Sequence, residues 1–582
     1  MKKHLLVVVL ALFGALTGCE DAVFPYLTSI AVNPANPSVA AGTTQQFTAQ
    51  GSFSNNSTSD VSSQVTWSSS DLSVASIDTT GLATTYAPGT TTITATVSAL
   101  NGVLTATTTL TVTTPTLTSI VIADLSSPIA MPTSAGTFQI ARGTSHQFVA
   151  YGIYSDGGER NITTSVTWAS APPAVATITN LGVARGITAG SATITATDPT
   201  TSLAGTATLN VTSATISTVA VAPAAQTIAP LTHLAYTAIG TFSDGSVQDV
   251  TADVNWSSSN TGAATITTSP PDGIAAGVAA GTTVITASLG AVTGSETLTV
   301  SSATLSSITI TPTSSSTAPV GMGLGSTLQL TAVGKFSDGT TQPFNTEVSW
   351  LTASTSNPSV SVNNVGTVTG LAVGTGTVTA KFGSVSQPAY LNVENVTSLV
   401  IGPTAPTVSP TAVTIAQGTA AEFSAIATLA DGSTQDITSS VTWVSTAPTI
   451  ATVSNTLGSA GWAAGLAPGA TTIAASFPGV FASDGVTVTN ATLSSLAIAT
   501  PATAQNIALG TTQQYTVTGT FSDSSTQDLS TQVTWTSSDT GVAVINPFGV
   551  ATSTGTGTTN IAAAGNINGS TATSPVQVLT VH

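Results

Sequence analysis

Charge is what this sequence has least of. Only 5% of its 582 residues are Asp, Glu, Lys or Arg, against about 25% in an ordinary soluble protein. Seven are basic and 24 acidic, for a formal net charge of −17. Nucleic-acid binding needs clustered Lys and Arg, as does electrostatic docking on anionic lipid, so the composition argues against both. Cysteine occurs once, as Cys19, which leaves no internal disulfide to form. Histidine is scarce too: beyond the first residues there are His146, His233 and His582, far apart in the chain. No H-E-x-x-H, no P-loop and no G-x-S-x-G elbow ahead of a helical pattern is present. Paired carboxylates of the glycosidase kind would need a cleft. The expectation is a protein that is not an enzyme and needs no cofactor. What fills the chain instead is apolar residues (41%), 51 Gly, 28 Pro and long runs of Thr and Ser such as TATTTLTVTT. The apolar fraction suffices for packed cores. Thr favours strands, and Gly and Pro punctuate turns, so an all-β protein is predicted.

Long apolar runs are also lacking. The one candidate is near the N-terminus, MKKHLLVVVLALFGALTGC, where two lysines precede an apolar stretch from Leu5 to Leu16. It is too short to span a bilayer as a helix and has the build of a secretory signal peptide over 1–18. Cys19 ends it in L-T-G-C, which resembles the bacterial lipobox. That resemblance implies a lipidated Cys19 and a membrane partner reached through the lipid.

The rest of the chain repeats. FSNNSTSDVSSQVTW from Phe53 returns as YSDGGERNITTSVTW from Tyr154, FSDGSVQDVTADVNW from Phe242 and FSDGTTQPFNTEVSW from Phe336. It returns again as LADGSTQDITSSVTW from Leu429 and FSDSSTQDLSTQVTW from Phe521. Each copy ends in a tryptophan: Trp67, Trp168, Trp256, Trp350, Trp443 and Trp535. Each is preceded by a strand pattern with alternating apolar residues, such as Ile30/Val32 or Val219/Val221. Period two marks a single buried face. After each Trp come Ser-rich turns, a segment like VASI or VATI, and a bend such as PGTTTITATV. Six to eight short strands in about 90 residues are the mark of a small β-sandwich.

The pattern DGS-x-Q-D-[VI]-T-x-x-V-T-W-x-S, followed by V-A-T-[IV] and A-G-T-T-x-I-T-A, resembles the bacterial immunoglobulin-like (Ig-like) domain of group 2. The resemblance implies six tandem Ig-like β-sandwich domains in an extended array, over 27–113, 117–212, 216–301, 305–394, 396–489 and 493–582. Stacked end to end, such units would reach on the order of 150–220 Å. The family occurs in bacterial surface proteins, including intimin- and invasin-type adhesins, so the resemblance implies the cell envelope. The fold itself does not fix a function.

Two features of the repeat invite chemistry. The six tryptophans could stack on sugars, but Val65 and Trp67, two apart, share a face, as do Val254 and Trp256, which predicts core. The Asp residues of the opening segment could hold calcium. The second of them is replaced by Pro343 in one copy and Asn161 in another. The residue after the first is Asn56, Gly157, Gly245, Gly339, Gly432 or Ser524, so a hairpin turn is the better reading. Candidates for binding are sought where copies differ. One is Trp462, in GSAGWAAG, with no aromatic counterpart in other units. Another is the longer path of unit 2, SSPIAMPTSAGTFQIARG, with Met131, Phe138 and Arg142. Insertions in sandwich loops often carry function. The function expected is a lipid-anchored envelope stalk or adhesion module that binds a surface polysaccharide or another cell-surface protein. The alternatives are a carbohydrate-binding array and a purely structural spacer.

Overall fold

The computed structural model describes residues 26–99, 102–124, 137–269, 272–353, 358–403, 413–499 and 506–582. Among these residues every regular element is a strand, and no helix is long and apolar enough to cross a membrane. Cys19, the leader and Met131 lie outside the described residues.

Unit 1 sets the pattern. Its strands are β1 (Leu27–Asn33), β2 (Ser38–Ala40), β3 (Thr44–Gln46), β4 (Thr48–Phe53), β5 (Thr58–Asp60), β6 (Thr66–Ser69), β7 (Ala75–Ile77), β8 (Leu82–Thr85), β9 (Gly89–Ala99) and β10 (Gly102–Thr113). They form three sheets, in the orders β1-β4-β5, β2-β10-β9-β6 and β3-β8-β7. All pairings are antiparallel except β2 with β10, which is parallel. The alternation read from sequence becomes two faces here. In β9, Thr91, Ile93 and Ala95 are buried while Thr92, Thr94 and Thr96 stand on the outer side. The same arrangement of sheets recurs in the later units.

Each tryptophan sits in its own apolar cluster. Trp67 packs with Phe47, Val61, Ile93 and Leu110, and Trp256 with Tyr236, Phe242, Ile285 and Leu298. Trp168, Trp350, Trp443 and Trp535 centre the others. Fully burying a ring of this size makes it a dominant contributor to its unit.

The end-to-end succession departs from a fully extended array in several places, among them a contact of units 3 and 6 where the Gln226 side-chain amide donates to the Gly510 carbonyl at 3.2 Å. Units 2 and 5 meet edge to edge. Gly158 and Glu159 pair in parallel with Val453 and Ser454. The Ser445, Val453 and Asn455 amides donate to the carbonyls of Asp156, Gly157 and Glu159 at 3.1, 3.0 and 2.8 Å. Tyr86 of unit 1 also stacks on Phe481 of unit 5, with ring centroids 4.3 Å apart. The array is therefore doubled back on itself, because strand edges in small sandwiches are open to new partners.

Candidate functional site

The opening segment is a hairpin followed by a core anchor, and its positions can be read atom by atom. At its third position an acid or amide closes the turn. Asp244 Oδ1 accepts from the Ser246 amide (3.0 Å) and hydroxyl (2.7 Å). Asn55 makes the same pair with Ser57, at 3.0 and 2.6 Å. The next residue is left-handed in all six copies, with φ from 63° at Asn56 to 86° at Gly339 and Gly432. Ser524 holds φ 67° there without being glycine. The Ser246 hydroxyl, then its amide, holds the Asp244 carboxyl below the usual range. Thr340, Ser433 and Ser525 do the same for Asp338, Asp431 and Asp523. The second acid closes a second turn: Asp249 accepts from the Thr251 amide at 2.8 Å, and Asp528 from Ser530 at 2.8 Å. These carboxylates are engaged by their own turns. Among the described residues no group of three His, Cys, Asp or Glu gathers as metal ligands would.

At the fifteenth position the tryptophans are 8, 9, 4, 8, 0 and 7% exposed in chain order. Each indole N–H donates to the carbonyl five residues earlier. The distances are 3.2 Å to Ser62, 3.0 Å to Thr163, 3.0 Å to Thr251, 3.1 Å to Asn345, 2.9 Å to Thr438 and 2.8 Å to Ser530. A buried indole needs such an acceptor. The rings are thereby committed to the interior and offer no platform.

The seventh position reaches out of its unit. Gln248 Oε1 accepts from the Ala141 amide (3.3 Å) and the Thr144 hydroxyl (3.0 Å) of the preceding unit. Gln342 accepts from the Ala229 amide at 3.4 Å. Gln435 accepts from the Gly323 amide (2.7 Å) and Ser326 hydroxyl (3.0 Å), and donates to the Thr327 carbonyl at 3.0 Å. Gln527 accepts from the Thr419 hydroxyl at 2.6 Å. The twelfth position adds a junction-specific contact. Asp253 takes the Ser145 amide (2.8 Å) and Arg185 (3.3 Å), and Glu347 takes His233 Nδ1 (2.8 Å). Ser440 takes the Thr327 amide (3.1 Å), and Gln532 the Ala420 amide (2.8 Å). Ala141, Ala229 and Ala416 extend into the next unit's apolar cluster. Sequence reasoning missed this latch. Gln248 lies between two exposed neighbours, so the apolar pattern gave it no role, although Gln at the seventh place was visible in four copies.

Of the residues singled out in sequence, the described ones, Phe138, Arg142 and Trp462, do not converge. Phe138 packs edge-on against Phe148, with centroids 5.0 Å apart, and beside His146 at 5.2 Å. Trp462 is half-buried against Ala420, Ala464 and Leu466. Arg142 is exposed and lines an open cleft of about 450 Å³ between units 2 and 3. A second cleft, of about 500 Å³, lies at the next junction around His233 and Glu347. The outer face of unit 1 forms a further surface. Thr105, Thr107, Thr109 and Thr111 of β10 stand opposite Thr96, Thr94, Thr92 and Thr90 of β9. Thr66 and Ser68 of β6 continue the rows.

The fold and its repeated anchor define a tandem array of Ig-like β-sandwiches. Three stretches, residues 26–108, 131–212 and 404–477, match the family described as bacterial Ig-like domain (group 2). The chain is 37% identical over 540 residues to Ice-binding protein 1 of Shewanella frigidimarina (strain NCIMB 400). That match covers 92% of this chain and 56% of the relative's length. Among solved structures, domains 1–6 of the surface layer protein SbsC match at 18% identity over 78% of this chain and 64% of that one, with a TM-score of 0.21. Invasin, a bacterial integrin-binding protein, matches at 18% over 65% and 80%, with a TM-score of 0.18.

Proposed function

We propose that this chain is a non-enzymatic cell-envelope lipoprotein whose Ig-like units form a stalk for adhesion. The observation that carries the reading is the glutamine latch at four successive junctions. Four-fold recurrence of one inter-unit hydrogen bond favours a chain built to hold its units in fixed succession, which a loose string of beads does not need. The lipobox-like L-T-G-C ending at Cys19 supplies the anchor. The relative is consistent with it: an array matching about half of a larger binding protein can present whatever the remainder binds. Protease treatment of intact cells tests the location, with cleavage without lysis expected. Attachment of cells lacking the protein tests adhesion. Equal attachment of mutant and parent cells would leave only the spacer role.

A second reading has one specific observation behind it. The threonine rows of β9 and β10 form an uncharged lattice, spaced by about 4.8 Å across strands and about 6.7 Å along them. A regular array of methyl and hydroxyl groups suits an ordered solid surface, and the relative's name points to ice. Partition of the protein into slowly growing ice is expected to fall when Thr94 and Thr107 are both replaced by Lys. Equal exclusion of both proteins from ice would end this reading.

A further inference from the structure

We propose that the cleft between units 2 and 3 binds a carboxylate-bearing sugar, a uronate of an acidic polysaccharide, with Arg142 as its charge-reading residue. The inference goes beyond the stalk reading and does not depend on it. Its first support is a place where the copies differ. The turn preceding the latch places its leading residue identically along the chain: the Ala41, Arg142, Leu324, Gln417 and Leu509 amides donate to the Thr113, Thr212, Glu394, Thr489 and His582 carbonyls. The corresponding residue of unit 3 is Pro230, just before Leu231 in the same turn. Five of the six are neutral, and only unit 2 has a cation there. Backbone geometry does not ask for arginine at this place, since Ala, Leu, Gln and Pro all serve.

The second support is the state of the guanidinium. Unit 2 has all three arginines of the chain. Arg160 is held by Asp156 at 2.5 Å and Arg185 by Asp253 at 3.3 Å. Arg142 pairs with no carboxylate among the described residues, and no acid lines its cleft. In a chain of net charge −17, a cation in a hollow without a counter-ion is complementary to a mobile anion. The cleft at the next junction differs on this point, because His233 there is already met by Glu347 at 2.8 Å.

The third support is the wall. Ile216, Leu289 and Ala189 present carbon, while Thr188 and Ser213 present hydroxyls. Apolar patches with a few polar groups suit the C–H face and hydroxyls of a pyranose. The guanidinium fork suits a carboxylate, which it grips with two parallel hydrogen bonds. The cleft's volume accommodates one or two sugar rings.

The test is calorimetric titration of the full chain with a polygalacturonate oligomer. Parallel titrations use its methyl ester and inorganic phosphate. Binding is expected for the free acid and expected to be lost for the ester. Arg142→Gln should weaken it by about ten- to a hundredfold, the worth of a charged bidentate contact. Arg142→Lys should recover part of it. Lys335→Gln, a cation of unit 4, should leave it unchanged, which separates a site from general charge attraction. Tryptophan emission verifies that each variant is folded. Equal binding by the ester, or by Arg142→Gln, overturns the proposal, as does phosphate binding as tight as that of the uronate. Scattering from the same samples reports the array's dimensions, so a failed glycan site is distinguished from a failed stalk.

Discussion

Unit 2 and unit 3 open with nearly the same segment, YSDGGERNITTSVTW and FSDGSVQDVTADVNW, yet the two copies face different neighbours. In unit 3 the seventh residue is Gln248, which reaches the backbone of the unit before it. In unit 2 it is Arg160, which folds back over the Tyr154 ring, 4.3 Å from its centroid, and onto Asp156. The turn of unit 3 is exposed, whereas Asp156 and Glu159 are 0 and 1% exposed, with unit 5 paired along them and Gly42 of unit 1 set against Asp156. The hairpin and its anchor are thus the constant of the repeat, and the side chain at one place decides where the hairpin docks. A carboxamide offers an acceptor and a donor together, and can satisfy a neighbour's amide and hydroxyl with no charge to desolvate. A guanidinium only donates, so it seeks an acid.

The largest effect should come from what the two copies share. Replacing Trp256 or Trp168 by Ala removes a buried ring and its indole hydrogen bond. Each is expected to cost about 3–5 kcal/mol, confined to its own unit. Denaturant unfolding should show one early transition with the remainder unchanged. A uniform shift of the whole curve would mean that the units do not unfold separately.

The next effect should separate the copies. Arg160→Ala leaves the Asp156 carboxylate, with a fully buried side chain, without its cation, at about 3 kcal/mol. Gln435→Ala leaves the Gly323 amide and Ser326 hydroxyl short of a partner, at about 1–3 kcal/mol. The readouts differ as well. Spin-label distances between units 4 and 5 should broaden in Gln435→Ala and stay narrow in Arg160→Ala. Unaltered distances in the glutamine variant would show that the latch decorates a junction held by apolar contact alone.

How much of this the sequence discloses depends on whether a residue acts inside its own unit. The hairpins, the buried tryptophans and the alternating faces all follow from local spacing, and six copies in register make them plain. The latch has no such trace. Gln248, Gln342 and Gln527 occupy half-exposed places on short edge strands, where the apolar pattern is silent, and their partners lie more than 100 residues earlier. The pairing of Gly158 with Val453 is equally unreadable, because any open edge can accept any strand. Repetition did hold one overlooked signal: a glutamine kept at a place where its own unit gives it nothing to do.

The smallest effect concerns acid, and the chain contains its own control. Asp244, Asp338, Asp431 and Asp523 are held below the usual carboxylate range, first by the hydroxyl two residues on and then by its amide. A carboxyl whose folded value is lowered contributes stability that is fully present above its unfolded value. That contribution fades as pH falls through the lowered value. The turns of units 3 to 6 should therefore loosen between about pH 4 and lower pH, modestly, since all four acids are exposed and screened. Unit 1 has Asn55 in the same place, making the same two bonds at 3.0 and 2.6 Å without a titrating proton. Asp244→Asn should therefore be nearly silent at neutral pH and should remove that turn's share of the acid slope. Amide exchange at Ser246 on either side of the transition measures it. Persistence of the full slope in Asp244→Asn would show that this carboxyl does not set the acid sensitivity of its turn.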